Sequence, residues 1–308
     1  MQPLLSLVIP CKNEESSLLE FYAETGKAIP AESEFIFVDD GSIDGTAKIL
    51  RDLAKKDSRV HYIILSRNFG KEAAMMAGLK KAKGNFIAII DADLQDPPSL
   101  IPQMLESVQS GTVDCAATRR VTRKGEPVIR SFFAHVFYKI ISKVSDMNVV
   151  DGARDFRLMS RKYANAILEV SERNRFSKGI FPWVGFRVQW FEFENIKRAS
   201  GETNWSFWKL FLYSLDGIVA FSAKPLAIAS VCGILLFLAS FLSIAFVVAR
   251  KIIYGDPVSG WASTICIMLF CSGIQLLTIG ILGQYLAKIY TEVKARPHFI
   301  VSEETESM

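Results

Sequence analysis

The sequence lacks the cysteine patterns that would indicate a disulfide framework or a zinc site. It has five cysteines in 308 residues, and none of them forms a C-x-x-C pair. Three of them, Cys232, Cys266 and Cys271, lie in long apolar stretches. Neither a disulfide-rich secreted scaffold nor a structural zinc domain is therefore supported.

Two glycine-rich phosphate-binding motifs and a signal peptide are also missing. No G-x-G-x-x-G follows the first apolar run, and no G-x-x-x-x-G-K-[ST] occurs, which argues against the common dinucleotide-binding and P-loop classes. The N-terminus has no basic segment, and its apolar run from Leu4 to Pro10 is too short for the core of a signal peptide. We interpret that run as a buried strand and expect the soluble part of the chain to stay in the cytoplasm.

Charged residues are absent from two long stretches in the C-terminal third. Residues 226–249 and 258–287 contain none, although 22% of the chain is charged. At ~1.5 Å per residue the first stretch reaches about 36 Å, enough to cross a hydrocarbon core of ~30 Å. The mean hydropathy of +0.23 is correspondingly high for a soluble protein. The sequence thus predicts a transmembrane hairpin with spans at about 226–249 and 262–287.

Basic residues beside these spans predict their orientation. Four flank the side that carries both soluble ends, and two lie in the connecting loop: Lys224, Lys288, Lys294 and Arg296 against Arg250 and Lys251. The positive-inside rule then predicts a multi-pass protein of the bacterial inner membrane with its soluble domain in the cytoplasm. The net charge of +4 indicates anionic lipid or phosphate as a partner, and not nucleic acid.

The chain divides into four predicted parts. A soluble domain covers 1–204, an interfacial amphipathic segment covers 205–224, the hairpin covers 225–289 and a cytoplasmic tail covers 290–308. A buried core helix is the alternative for the aromatic-rich interfacial segment. The tail ends in SEETESM, which we expect to be disordered because it has so few apolar residues.

Short apolar runs alternate with helical patterns along the first 118 residues. The runs are LSLVIP, FIFVD, VHYIIL, FIAIID and VDCAA. This rhythm is typical of an α/β fold with a mainly parallel sheet and flanking helices. Because such sheets bind ligands at the carboxyl ends of their strands, the residues that follow each run are the candidate site.

Two aspartates follow the fourth apolar run. Asp91 and Asp93 are separated by one residue, so both carboxylates can approach one hard cation, and oxygen ligands select Mg²⁺ or Mn²⁺. A loop with two solvated aspartates would give the same D-x-D pattern. A second acidic pair, Asp39 and Asp40, follows the second run, where it could be either a simple turn or a group that recognises a nucleobase.

Six ordered motifs, together with the apolar hairpin, carry a resemblance to a known family. They are VIPCKNEE, VDDGSIDGT, RNFGK, IIDADLQDPP, DFRLMSR and RASGETNWS. The chain resembles family 2 glycosyltransferases of the GT-A fold over nearly its whole length. Within that family it is most similar to bactoprenol-phosphate glucosyltransferases, which are relatives of dolichyl-phosphate mannose synthase.

The resemblance implies roles for individual residues. Those implied to bind the nucleotide are Pro10, Asn13, Glu14, Asp39 and Asp91. Those implied to act in catalysis are Asp93, which with Asp91 would hold the metal, and Asp155, which matches the carboxylate usually assigned as the base. Those implied to lie at the acceptor or its phosphate are Gln95, Asp96 and Arg198. One position departs from the usual G-E-T-K pattern, since Asn204 replaces the lysine and cannot supply its charge.

The resemblance also implies an activity. The expected reaction is the inverting, metal-dependent transfer of a hexose, with glucose favoured, from a UDP-sugar to undecaprenyl phosphate. The lipid-linked sugar would serve cell-surface glycan modification such as that of O-antigen, and the family suggests a homo-oligomer. A polysaccharide synthase of the same family is one alternative, but Q-x-x-R-W and further spans are not found. A non-catalytic membrane scaffold is another, although it would not need so many carboxylates at one edge.

Overall fold

The computed structural model describes residues 2–121, 150, 152–194, 224–254 and 260–305. The strands in these ranges are β1 (Leu5–Cys11), β2 (Ser33–Asp39), β3 (Val60–Leu65), β4 (Phe86–Ile89), β5 (Cys115–Arg120), β6 (Ala153–Ser160), β7 (Val188–Phe193) and β8 (Val301–Glu304). The helices are α1 (Leu18–Ala28), α2 (Thr46–Lys56), α3 (Lys71–Lys81), α4 (Ile101–Gln109), α5 (Arg161–Glu169), α6 (Ser177–Trp183), α7 (Lys224–Tyr254) and α8 (Trp261–Lys294). A 3₁₀ turn at Pro98–Leu100 precedes α4.

Within the described residues, the eight strands form one mixed sheet in the order β7-β5-β6-β4-β1-β2-β3-β8. The central strands β4, β1, β2 and β3 are parallel to one another. β6 runs antiparallel to both of its neighbours, and β8 runs antiparallel to β3 at the edge. The predicted α/β fold with a mainly parallel sheet is thus confirmed.

The two innermost strands, β1 and β2, are buried on both faces. Every residue of β1 and of β2 is buried, which explains why their sequences are nearly continuous apolar runs. Leu7 and Phe35 point into a core covered by α1, α2 and α4, whereas Val8 and Ile36 point into a second core covered by α3, α5 and α6. The domain is therefore a three-layer structure that presents the carboxyl ends of its parallel strands at one edge.

The helix α3 packs unusually close to the sheet. A Cβ atom at Gly78 would lie 2.3 Å from Val8 Cγ1, so only glycine allows this approach. α3 is therefore held directly against β1 and β2.

The two C-terminal helices are long and apolar, as predicted. Stretches suited to crossing a membrane occur at Leu226–Ser243 and Phe270–Lys294, with mean hydropathies of 2.4 and 1.4. Many of their large apolar side chains are exposed, for example Phe237 and Leu276. Both helices extend beyond the predicted spans, to Tyr254 and Lys294. Most of the predicted interfacial segment, up to residue 223, lies outside the described residues.

The predicted disorder of SEETESM is wrong for its first residues. Val301–Glu304 form β8, which pairs with β3. Glu303 accepts hydrogen bonds from Nε and Nη2 of Arg51 and from the Tyr62 hydroxyl. These bonds pair the polar side chain of a strand that has little apolar surface to bury. The chain therefore returns from the apolar helices to complete the edge of the sheet.

Candidate active site

Asp91 and Asp155 meet because β4 and β6 are antiparallel neighbours. Phe86 lies opposite Ser160, and Ile89 lies opposite Arg157. Continuing the same register two residues beyond the paired strands places Asp91 opposite Asp155. The D-x-D motif and the DFR motif, far apart in sequence, thus converge at the carboxyl edge of the sheet.

Lys71 joins the two carboxylates. Its Nζ lies 2.7 Å from Asp91 Oδ1 and 2.6 Å from Asp155 Oδ2. Burial lowers the pKa of Lys71, but the two carboxylates outweigh that effect and hold its pKa above the ordinary value. Burial likewise acts to raise the pKa of Asp155, whereas Lys71 and Lys178 hold it well below the ordinary value. Sequence reasoning assigned no role to Lys71, although it ends the RNFGK motif.

Asp40 holds the loop that places Lys71. Its two carboxylate oxygens accept the backbone N–H groups of Phe69 (2.7 Å) and Gly70 (2.9 Å), directly before α3. The side chain is buried, and burial raises its pKa. Gly41 keeps the two loops in contact, since it has φ +66° and an added Cβ would lie 2.6 Å from the Arg67 carbonyl carbon. Asp40 is therefore a positioning residue for Lys71.

Replacing Asp40 by asparagine is expected to impair both the site and the fold. The amide retains one acceptor and places N–H donors against the second backbone N–H. We expect the free energy of unfolding to fall by about 1–3 kcal/mol and kcat to fall about tenfold, because a displaced Lys71 weakens a charged contact. Chemical denaturation and steady-state kinetics would measure both effects. Asp52→Asn, at an exposed carboxylate on α2, is the matched control, and an Asp40→Asn enzyme with wild-type kcat would contradict the assignment.

Four of the five residues predicted to bind the nucleotide lie at the ends of β1 and β2, and the fifth, Asp91, follows β4. Asn13 has a left-handed backbone, with φ 54°, and its Oδ1 accepts the N–H of Ile43 at 3.0 Å. The N–H of Glu14 donates to Thr46 Oγ1 at 2.9 Å, and Pro10 is buried within β1. Asp39 is buried, and its Oδ1 accepts the N–H of Ser42 at 3.0 Å. Its Oδ2 has no hydrogen-bond partner among the described residues.

The residues after the D-x-D motif form a second charged group. Asp96 is completely buried and accepts a hydrogen bond from Arg154 Nε at 2.9 Å. Burial raises the pKa of Asp96. Arg154 also lies 4.0 Å from Asp91, and Gln95 Oε1 accepts a hydrogen bond from Arg120 at 2.9 Å. Asp96 thus contacts Arg154 and is shielded from solvent.

The Asp91 and Asp93 carboxylates have the donor chemistry of a hard-cation site. Among the described residues, no third His, Cys, Asp or Glu completes a three-ligand metal cluster. A site with two carboxylates leaves coordination positions for substrate phosphates and water, which is how Mg²⁺ is commonly held. Asp91 is already ion-paired with Lys71, whereas Asp93 accepts the N–H of Gln95 at 3.1 Å. The donor set therefore fits a divalent cation that shares its coordination with a diphosphate.

Two of the residues considered in the sequence lie outside the described ranges. They are Arg198 and Asn204.

This fold and this cluster of carboxylates define an α/β glycosyltransferase of the GT-A type. Residues 6–168 match the profile of Glycosyl transferase family 2. The chain belongs to family 2 of the glycosyltransferases.

Comparisons with individual proteins show how far this similarity extends. The chain is 42% identical to a glycosyltransferase of Synechocystis over 97% of this chain and 95% of that protein. It is 38% identical to the bactoprenol glucosyl transferase of Shigella phage SfV over 98% of this chain and 99% of that protein. Among solved structures, glucosyl-3-phosphoglycerate synthase of Mycobacterium tuberculosis matches with a TM-score of 0.46 and 18% identity, over 71% of this chain and 78% of that chain.

Proposed function

We propose that this glycosyltransferase moves a hexose, glucose, from a UDP-sugar to undecaprenyl phosphate at the cytoplasmic face of the bacterial inner membrane. One observation carries the proposal. Lys71 and Asp155 line the same cavity as Tyr290 and Lys294, which lie at the end of an apolar helix long enough to cross a membrane. A water-soluble donor and a lipid acceptor could meet there.

The similarity to bactoprenol glucosyl transferases supports the choice of sugar and acceptor. It extends over almost the whole of both chains and so includes the apolar helices as well as the sheet. The two ends of the hairpin that join the soluble parts of the chain would lie on the cytoplasmic side. Self-association through the hairpin remains a prediction.

Asp39 supports a uracil nucleotide as the donor. Its Oδ2 is closed off from solvent and has no partner among the described residues, which is costly for a carboxylate. A ring N–H of the base would satisfy that oxygen once the loop around Ser42 admits it. Asn13 and Glu14, from the adjacent strand end, would fix the loop against the nucleotide.

The acceptor chemistry explains why Asp155 is paired with a cation. A phosphate monoester has a second pKa of about 6 and is largely dianionic at pH 7, so it needs no base to become a nucleophile. Asp155 would orient Lys71, and Lys71 would reduce the repulsion between Asp155 and the incoming phosphate. Direct attack from the face opposite the leaving group, without a covalent intermediate, inverts the anomeric configuration.

Asp91 and Asp93 would hold Mg²⁺ or Mn²⁺ beside the diphosphate of the donor. When bound, the ion neutralises charge that develops on the leaving diphosphate. Arg154, partly buried against Asp96 and close to Asp91, would hold the D-x-D loop in place.

The proposal is tested by assaying the full-length protein in lipid nanodiscs. Labelled UDP-glucose, UDP-galactose and UDP-N-acetylglucosamine would each be supplied with undecaprenyl phosphate, with Mn²⁺ or Mg²⁺ present. We expect a lipid-linked β-glucoside from UDP-glucose, loss of turnover on chelation and recovery when the metal is restored. Absence of lipid-linked product from every donor would refute the proposed acceptor, and an α-linked product would refute inversion.

A further inference from the structure

A large cavity lies between the carboxylate cluster and the C-terminal end of α8. Its volume is about 810 Å³, and the loop at 173–175, the start of α6 and residues 294–298 form much of its wall. Asp155, Tyr290 and Lys294 all line this cavity. It is large enough for a phosphate group together with the first part of a lipid chain.

The cavity carries an excess of positive charge. Of the described residues that line it, seven are Lys or Arg and two are carboxylates. Both carboxylates are engaged, because Asp155 pairs with Lys71 and Glu72 accepts hydrogen bonds from Ser177. In contrast, Arg175, Lys178 and Arg296 have no carboxylate oxygen within 4.0 Å in the described part of the chain. Cations that line one cavity without a close carboxylate partner favour an anionic ligand.

The loop at 173–175 and the C-terminal end of α8, which form two walls of the cavity, are hydrogen-bonded to each other. Glu292, near the end of α8, accepts the backbone N–H groups of Arg173 (2.7 Å) and Asn174 (3.2 Å). The Arg173 side chain in turn donates to the carbonyl oxygen of Arg296 at 2.9 Å. The cationic groups on the loop and on the end of α8 are therefore held at a fixed separation before any ligand arrives.

An exposed apolar stripe on α8 leads to this cavity. Ile279, Leu282, Leu286 and Tyr290 follow one another at intervals of three or four residues, which places them on one face of the helix. Each is more than half exposed. The next turn of the same face brings Lys294 to the cavity. A single molecule with an apolar chain and an anionic head would match both surfaces.

We infer that this cavity binds the phosphate group of the polyprenyl phosphate acceptor, with Lys178 and Arg296 as its contacts and the polyprenyl chain along the α8 stripe. The inference rests on the proposed function and adds the site that receives the acceptor. Arg296 supplies a planar set of donors suited to two phosphate oxygens, and Lys178 supplies a point charge on the Asp155 side. The phosphate would then lie between the membrane-side end of the cavity and Asp155.

Equilibrium binding tests the site without relying on turnover. Farnesyl phosphate would be titrated by calorimetry into the full-length protein in detergent, with Lys178→Gln, Arg296→Gln and the double variant compared with wild type. Each lost charged contact should raise the Kd for farnesyl phosphate about tenfold, while the Kd for UDP stays unchanged. Lys55→Gln, at an exposed lysine on α2, is the matched control and should bind both ligands as wild type does.

Two competitors identify the ligand. Farnesol has the chain without the phosphate, and inorganic phosphate has the charge without the chain, so both should displace farnesyl phosphate only weakly. Wild-type affinity of the double variant for farnesyl phosphate would overturn the inference. Farnesol binding as tightly would show that the phosphate is not recognised, and inorganic phosphate binding as tightly would show a free-phosphate site. A wild-type enzyme that binds farnesyl phosphate through Lys178 and Arg296 but makes no lipid-linked sugar would refute the proposed function and leave the binding site standing.

Discussion

Asp155→Asn is expected to lower kcat by roughly a hundred- to a thousandfold, the range seen when one preorganised polar group at a reacting centre is removed. Asparagine has nearly the same shape, so the sheet and its cores should be preserved. It has no charge, however, and Lys71 would keep only Asp91 as its ionic partner. The ammonium group would then move toward the D-x-D loop and away from the acceptor.

Steady-state kinetics with UDP binding measured in parallel would isolate this effect. The Kd for UDP should be unchanged, because Asp39 and Asn13 lie at different strand ends from Asp155. Asp114→Asn is the matched control, because the partly buried carboxylate of Asp114 also pairs with a cation, Arg187. Asp114 lies just before β5, at the opposite edge of the sheet from Asp155. A kcat within threefold of wild type for Asp155→Asn would remove this residue from the mechanism.

Lys71→Gln is expected to lower kcat about a hundredfold and to introduce a new dependence on pH. In the wild-type enzyme the pKa of Asp155 is held well below its ordinary value, so the carboxylate stays ionised across the range of an assay. Without the ammonium group, burial is opposed mainly by Lys178 and Arg157, so the pKa of Asp155 rises. The variant therefore protonates Asp155 as the pH falls through the raised pKa, whereas the wild type does not.

The kcat of Lys71→Gln divided by that of the wild type, measured as a function of pH, reveals this change. Titration of the acceptor phosphate affects both enzymes equally and cancels in the ratio, which should fall as the assay pH is lowered from about 8 toward 5, below the phosphate pKa of about 6. Lys71→Arg restores the charge and should recover a flat ratio with part of the activity. A flat ratio for Lys71→Gln would show that Lys71 does not control the protonation of Asp155.

The sequence predicted the central sheet because its strands are buried on both faces. β1 and β2 are continuous apolar runs, and no competing pattern exists for them. β6 was harder to recognise, since Arg154, Asp155 and Arg157 interrupt its apolar residues, and two of these three side chains form the charged site. β8 was missed because its polar residues are held by long-range partners such as Arg51.

The sequence predicted only those residues of the candidate site that directly follow a recognisable strand. Asp91 and Asp93 follow an apolar run, so the edge rule for parallel sheets located them directly. Lys71 has partners 20 and 84 residues away and begins a helix after a loop, and nothing in its local sequence indicates a charged site. The cavity beside it was equally hidden, since it needs residues from α3, α6 and the end of α8.

The position of β8 also sets the order in which the protein can be completed during synthesis. β3 ends at Leu65, but its outer partner begins at Val301, after both apolar helices. At ~5–20 residues per second, that edge of the nascent sheet stays open for about 12–50 s. An open strand edge is a site for wrong pairing, and it closes only after the hairpin has been made. Pairing of β8 with β3 therefore occurs only in chains whose apolar helices have already been synthesised. A chain stalled before residue 301 would expose the β3 edge to chaperones and proteases.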